Sequence, residues 1–206
     1  MRQINGRVLG AAAAAALVLA VMAPAGAATV TGTTGDDVLV GTAGADTIRG
    51  RAGDDTILAG TGADDVRGGA GNDVIQLGAN PLLTGPSGDL ALGGPGDDVI
   101  LAGPGFDVVS GGRGDDVLAA GTGTENTLED GPGDDVVLGG PDGDVAYVGA
   151  GKDRVTLGRH SDAVYIVADR MRDVVLCGPG DDHVYVGQHR DVHDVFRDCE
   201  SFSPHP

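Results

Sequence analysis

The stretch GGAGNDVIQ, residues 68–76, places three glycines within four residues, then an aspartate, then two β-branched residues. Glycine weakens regular structure, because its unfolded backbone has the most freedom to lose. β-branched residues, by contrast, favour a pleated strand. The stretch therefore predicts a tight turn followed by a short strand, and some other interaction must offset the entropy of the glycines.

The same pattern recurs every nine residues before and after this stretch. A glycine is followed two residues later by an aspartate, and the aspartate two residues later by an apolar residue. The glycines are Gly35, Gly44, Gly53, Gly62 and Gly71, the aspartates Asp37, Asp46, Asp55, Asp64 and Asp73, and the apolar residues Leu39, Ile48, Ile57, Val66 and Ile75. The unit is thus G-x-x-G-x-D-x-U-x, with U apolar. We number its positions 1 to 9, so that the aspartate is position 6.

A second, less regular block follows. Spacing predicts its sixth positions at Asp89, Asp98, Asp107, Asp116, Glu125, Asp135, Asp144, Asp153, Asp162, Asp173, Asp182 and Asp191, with small insertions on the way. The glycine at position 4 is lost late in the chain, for example at Asp142 and His160. The predicted organisation is a signal peptide over 1–27, a first repeat block over 28–76, an irregular loop over 77–88, a second, partly degenerate block over 89–194, and a C-terminal cap or tail over 195–206.

The unit divides into a six-residue turn and a three-residue strand. Side chains alternate across a strand, so the apolar residue at position 8 points inward while its two neighbours point outward. Two units then form one coil, and stacked coils form two parallel sheets around a thin aliphatic core. Repeats fill nearly the whole chain after residue 27, which leaves no stretch for a separate catalytic domain.

Turns that are two units apart lie on the same side of adjacent coils, so their aspartates converge. We expect the pairs Asp37–Asp55, Asp46–Asp64, Asp55–Asp73, Asp98–Asp116, Asp107–Glu125 and Asp135–Asp153. Carboxylates and turn carbonyls make an oxygen-rich, flexible cage, which suits Ca²⁺ better than the strictly octahedral Mg²⁺. Cation binding would offset both the carboxylate repulsion and the glycine entropy, so binding and folding are predicted to be coupled.

Over residues 32–194 the chain resembles the RTX, or haemolysin-type, calcium-binding nonapeptide repeat family. The resemblance implies a right-handed parallel β-roll, an all-β fold, with several Ca²⁺ ions held between its turns. The implied metal-binding residues are Asp37, Asp46, Asp55, Asp64, Asp73, Asp98, Asp107, Asp116, Asp135 and Asp153, with turn glycines Gly35, Gly44, Gly53, Gly62, Gly71, Gly96, Gly105 and Gly114. The first block and units 93–119 are expected to bind best, because the later units lose the position 4 glycine.

The N-terminal segment predicts the cellular location of the protein, and the net charge limits the class of its binding partners. Arg2 and Arg7 precede an apolar run over residues 8–22 and a small-residue site at 25–27, a pattern typical of a secretory signal peptide. A membrane anchor is the alternative, but the run is shorter than the ~20 residues that span a bilayer. The net charge of −18 argues against nucleic acid as a partner. We predict a secreted, extracellular protein with no membrane span.

The cysteines and tyrosines add two predictions. Cys177 and Cys199 are the only cysteines, and a secreted chain with an even number favours a disulfide over two free thiols. Tyr147, Tyr165 and Tyr185 occupy the ninth position of alternate units, which predicts a ladder on one outer face. Such a ladder either stabilises the sheet or forms a platform for a glycan or a partner surface.

The sequence bears on three candidate functions. The leading one is a calcium-binding repeat protein with a structural or surface-interaction role, which includes self-association through outward valines. The second is an adhesin or glycan-binding module that uses the tyrosines. The third, a hydrolase, lacks support because the chain has neither H-E-x-x-H nor G-x-S-x-G, so we predict that it is not an enzyme.

Overall fold

The computed structural model describes residues 17–20, 26–79, 88–187 and 191–204, and within them the regular elements are all β-strands. The odd-numbered strands form one parallel sheet: β1 (Leu17–Ala20), β3 (Asp37–Val40), β5 (Thr56–Thr61), β7 (Val74–Ala79), β9 (Val99–Leu101), β11 (Val117–Ala119), β13 (Val136–Leu138), β15 (Arg154–Thr156), β17 (Val174–Leu176) and β19 (Val195–Arg197). The even-numbered strands form the other: β2 (Thr29–Thr31), β4 (Thr47–Ala52), β6 (Asp65–Ala70), β8 (Leu90–Pro95), β10 (Val108–Arg113), β12 (Thr127–Glu129), β14 (Val145–Val148), β16 (Ala163–Ile166), β18 (His183–Val186) and β20 (Ser201–Pro204). The predicted parallel β-roll is confirmed.

Consecutive strands alternate between the sheets, and each strand pairs with the strand one coil away. The step between paired residues is 18 residues in the first coils, as in the Leu39–Ile57 pair. It widens to 25 residues between Val66 and Ala91, across the irregular loop, and the roll continues on both sides. A one-residue slip would turn every inward side chain outward. The inserted residues are therefore confined to the turns, and the strands keep their register.

The core is the inward row of position 8 residues from both sheets. Among the described residues, seventeen of this kind are buried: Val30, Leu39, Ile48, Ile57, Val66, Ile75, Ala91, Ile100, Val109, Leu118, Leu128, Val137, Ala146, Val155, Val164, Val175 and Val184, with Phe196 partly buried at the end. Aliphatic side chains of this size fill a roll that is only two sheets thick. Outward neighbours such as Val74 and Val108 stay exposed, as the alternation predicts.

The C-terminal part of the repeat differs from the spacing prediction. Spacing places the last sixth position at Asp191, with His193 as its apolar residue. The structure instead pairs Phe196 with Val175 in the core row, and the residue two before it is Asp194. The strands β19 and β20 lie within the segment predicted as a cap. Residues 77–79, predicted as loop, belong to β7.

The predicted signal peptide falls mostly outside the described residues, as does most of the predicted loop (80–87). Of the former, β1 is described, and its backbone pairs with β3. No helix in the described part of the chain is long and apolar enough to cross a membrane. The signal peptide and the domain boundaries stay predictions.

The disulfide between Cys177 and Cys199 is present, with the two Cα atoms 5.2 Å apart. Cys177 is fully buried at the inward position that follows β17, and Cys199 lies between β19 and β20. The bond therefore connects the last two coils of the odd-numbered sheet. Closing a loop of this length removes about 3 kcal/mol of unfolded-chain entropy.

We predict that Gly71→Ala destabilises the calcium-loaded protein by more than about 1 kcal/mol. Gly71 has φ +129°, and a Cβ built on it would lie 2.3 Å from the Gly53 carbonyl oxygen of the previous coil. Gly187→Ala is the matched control, because its nearest neighbour would be 3.7 Å away and its φ is not positive. Urea unfolding followed by circular dichroism measures both changes; equal effects would contradict the argument.

Candidate metal centre

The turns form two rows, one along each edge of the roll. The first row has its sixth positions at Asp37, Asp55, Asp73, Asp98, Asp116, Asp135, Asp153, Asp173 and Asp194. The second row has Asp46, Asp64, Asp89, Asp107, Asn126, Asp144, Asp162, Asp182 and Glu200. Nearly all of these carboxylates are buried, because position 6 lies two residues before the core residue and shares its inward face.

The backbone N–H of each sixth residue donates a hydrogen bond to the side-chain oxygen of the sixth residue in the next coil. The N–H of Asp37 donates to Asp55 Oδ1 at 2.8 Å, and the N–H of Asp55 donates to Asp73 Oδ1 at 2.8 Å. The same bond joins Asp135 to Asp153 at 2.9 Å. The pairs predicted from spacing therefore lie together, with the exception that involves Glu125. Their role as metal ligands stays a prediction.

Glu125 does not occupy the sixth position that spacing assigns to it. Its neighbour Asn126 is fully buried there and accepts the Asp107 N–H at 2.8 Å, while Glu125 is exposed with φ +58°. The inserted residue thus lies before position 6 rather than after it. This turn of the second row consequently has an amide where a carboxylate was predicted.

The second carboxylate oxygen of most of these aspartates has no partner. In the first row this holds for Oδ2 of Asp55, Asp73, Asp98, Asp116, Asp135, Asp153 and Asp173. A buried polar atom without a partner is costly, and a buried charge is more so. Such oxygens from stacked turns are the ligands that a hard cation takes. The donor set of the first row therefore fits Ca²⁺.

The second row is less uniform. Asp46 has both oxygens engaged, since Oδ1 accepts from Ala28 N–H and Oδ2 from Thr42 N–H. Asp144 is similarly engaged by Gly140 and Asn126. Asp64, Asp107, Asp162 and Asp182 still leave Oδ2 unpartnered. Of the two rows, the first therefore offers the more regular series of free oxygens.

Position 1 distinguishes the two halves of the first row, a signal that the sequence reading did not use. A Cβ built on Gly50 or Gly68 would lie 2.1 or 2.2 Å from Oδ2 of the aspartate in the same unit. Glycine thus lets the carboxylate lie against the turn. In register the series runs Gly32, Gly50, Gly68, Gly93, Gly111, Asp130, Val148, Ile166 and Val186. Position 1 of the first row is therefore glycine in the early coils, aspartate at Asp130, and aliphatic from Val148 onward.

A second series of polar side chains runs outside the first row, at position 5. The Asp54 N–H donates to Asp36 Oδ1, and the chain of bonds continues to Lys152, whose N–H donates to Asp134 Oδ1. Its members are Asp36, Asp54, Asn72, Asp97, Asp115, Asp134 and Lys152. These exposed residues therefore connect adjacent turns along the first row.

Asp130 is a buried carboxylate that spacing alone did not single out. It is fully buried, and its Oδ1 accepts the N–H groups of Gly131 and Gly149 at 2.6 and 2.7 Å. Burial, then the charge of Asp153, raises its pKa to about 8. One oxygen each of Asp130, Asp135 and Asp153 lies within 4.8 Å of the others.

The predicted tyrosine ladder is present. The ring centroids of Tyr147 and Tyr165 are 4.8 Å apart, and those of Tyr165 and Tyr185 are 4.4 Å apart, with the rings nearly parallel. Both faces of Tyr165 are therefore covered. Beside the ladder lies an open groove of about 640 Å³, lined by Glu129, Asp130, Gly131, Tyr147, Val148, Gly149, Tyr165, Ile166, Val167, Ala168 and Gly187.

His183 contacts two serines, an arrangement that the sequence did not reveal. Its Nδ1 lies 2.5 Å from Ser201 Oγ, and its Nε2 lies 2.7 Å from Ser203 Oγ. Ser201 Oγ also donates to the Asp182 carbonyl at 3.0 Å. The contacts join β18 to β20 and so fasten the final strand of the roll.

The fold and the buried carboxylate rows define a parallel β-roll of the cation-binding class. The model of the RTX calcium-binding nonapeptide repeat matches in four copies, at residues 31–66, 58–80, 92–124 and 121–155. These matches cover more than half of the chain, and the chain belongs to this family. No curated protein matches it.

We predict that the metal-free protein is more stable at pH 5 than at pH 8. Burial raises the pKa of Asp73, Asp116 and Asp153 to about 7, above the ordinary 3.8, so the folded chain binds more protons between these values. The contribution of the protonated form is complete below about 3.8 and is lost as pH rises through about 7.

Thermal melts in chelator measure this difference. Excess calcium should reverse the order, because protons compete with the cation for the same oxygens. Asp73→Asn removes one titrating group and should flatten the slope in chelator. A melting temperature that rises steadily from pH 5 to pH 8 in chelator would contradict the prediction.

Proposed function

We propose that this chain is a secreted calcium-binding β-roll protein whose folding is coupled to Ca²⁺ and whose role is structural or surface-interacting. The observation that carries the proposal is the series of buried, unpartnered Oδ2 atoms along the first row. Without a cation or a proton, these oxygens destabilise the folded chain. A cation that binds only the folded chain shifts the equilibrium toward it.

The first row would hold most of the ions. The ligands we propose there are Asp37, Asp55, Asp73, Asp98, Asp116, Asp135 and Asp153, with Asp64 and Asp107 as weaker candidates in the second row. The glycines at position 1 support the first five of these turns, because they let each carboxylate reach the turn backbone. Beyond Asp153 the aliphatic residues Ile166 and Val186 take that place. The late coils would accordingly be poor in metal.

Secretion is part of the proposal and has two supports. The first is the signal-like segment over residues 1–27, and the second is the disulfide, which persists in oxidising compartments. The calcium concentration outside cells is comparable to the dissociation constants of extracellular calcium-binding modules, which are roughly 10⁻⁴ to 10⁻³ M. The chain would therefore stay unfolded at low calcium and fold after export.

A calcium titration followed by circular dichroism tests the coupling. We expect a cooperative gain of β signal with Ca²⁺ and none with the same concentrations of Mg²⁺, which demands octahedral coordination. An unchanged spectrum throughout the titration would mean that the aspartates serve only as turn formers, and the proposal would fail.

Two adjacent aspartates provide matched variants for the same titration. Asp55 is 1% exposed and leaves Oδ2 unpartnered, whereas Asp54 is exposed at position 5. Asp55→Asn should shift the calcium midpoint upward by about threefold or more, because each lost ligand charge lowers affinity. Asp54→Asn removes the same charge nearby and should leave the midpoint almost unchanged. Equal shifts would indicate a general field effect.

A second candidate function is surface binding through the tyrosine face. The groove beside Tyr147 and Tyr165 is the observation that favours it. The ladder itself offers ring edges rather than free faces at Tyr165, so a glycan would have to lie in the groove. This function is compatible with calcium binding, because the roll would act as the scaffold.

The triple variant Tyr147→Ser, Tyr165→Ser, Tyr185→Ser tests this candidate in a glycan and cell-wall binding assay. We expect binding to fall by at least about tenfold if the rings form the surface, since each aromatic contact contributes ~1 kcal/mol and a loss of about 1.4 kcal/mol is tenfold. Circular dichroism at saturating calcium controls for folding. Binding that equals the parent chain would leave the ladder as a stabilising device only.

A further inference from the structure

Asp130 stands at a place where the first row otherwise has small or aliphatic residues. It follows Glu129, which pairs with Ser110 on one side and Tyr147 on the other, so Asp130 lies between Gly111 and Val148 in the stack. It is the charged member of this position 1 series among the described residues. A carboxylate in the interior of the roll needs a specific compensation.

Hydrogen bonds fix the orientation of the three carboxylates in this region. Asp130 Oδ1 accepts from Gly131 and Gly149, Asp135 Oδ1 from the Asp116 N–H at 2.6 Å, and Asp153 Oδ1 from the Asp135 N–H at 2.9 Å. Each residue is at most 1% exposed, and each leaves Oδ2 without a partner. The three Oδ2 atoms are therefore the ones with free lone pairs.

No basic side chain in the described part of the chain compensates this charge. The nearest one along the first row, Lys152, pairs with Asp134 on the surface at 3.9 Å. The remaining compensation is a bound cation or shared protons. The groove that Asp130 and Gly149 line lies beside this cluster.

We propose that Asp130, Asp135 and Asp153 form a three-carboxylate site that binds Ca²⁺ more tightly than the other turns of the roll. The inference rests on the proposed calcium binding and adds to it a ligand from position 1, where the repeat has glycine. Affinity rises with the number of charged ligands in a hard-cation site. This site is consequently the first to fill as calcium rises.

The test is a calorimetric titration of the purified whole chain with CaCl₂. Asp130→Gly restores the glycine of the repeat, Asp130→Asn keeps the shape without the charge, and Glu129→Gln is the control at an adjacent exposed carboxylate. We expect the tightest binding step to weaken by roughly tenfold or more in both Asp130 variants and to stay unchanged in Glu129→Gln. Circular dichroism at saturating calcium confirms that each variant is folded.

The outcomes separate this inference from the proposed function. If the parent chain binds calcium and both Asp130 variants keep its tightest step, the three-carboxylate site is overturned while calcium binding stands. The same holds if the Asp130 variants only stabilise the metal-free chain, since shared protons then account for the cluster. If the parent chain binds no calcium at all, both the inference and the proposed function fail.

Discussion

The burial of a carboxylate in nearly every turn is the constraint on which the rest of this structure depends. Except at the C-terminal end, where Asp194 is half-buried and Glu200 exposed, each described sixth position shares the inward face of the core residue and is shielded from solvent. The backbone of the neighbouring coil satisfies one oxygen, as the Asp55–Asp73 bond shows, and leaves the other. The polypeptide alone therefore leaves buried carboxylate oxygens without hydrogen-bond partners. The free-energy cost of burying them recurs along the roll.

Glycine makes this arrangement possible and also limits it. At position 4, Gly71 packs against Gly53 of the coil before with no room for a side chain. At position 1, Gly50 lets Asp55 lie against its own turn. These residues favour the unfolded chain through their entropy, so the same positions that build the cation site weaken the metal-free fold. This opposition is the physical basis of the proposed coupling between folding and cation binding.

The nine-residue period was enough to predict the two sheets, the inward core and most of the stacked pairs. It was not enough to locate inserted residues, because spacing cannot tell whether an extra residue falls before or after position 6. The packing of Leu128 and Phe196 in the core decides that Asn126 and Asp194, rather than Glu125 and Asp191, take this position. Asp130 was detectable in principle, since it replaces a glycine of the unit, but only the structure shows that its carboxylate faces inward.

The early and late coils of the roll are stabilised in different ways. In the early coils of the first row position 1 is glycine, and the unpartnered carboxylate oxygens need a cation or protons. In the late coils Val148 and Ile166 add aliphatic burial at the same position, the tyrosine rings stack outside, and the disulfide joins the last coils. The stability of a solenoid is approximately a sum over its repeats and their interfaces. Under the proposed calcium binding, the late coils would need less calcium than the early ones, since the unpartnered Oδ2 atoms beyond Asp153 are those of Asp162, Asp173 and Asp182 among the described residues. Asp130 lies where the two halves meet, so a cation held at the proposed three-carboxylate site would couple the early coils of the roll to the late ones.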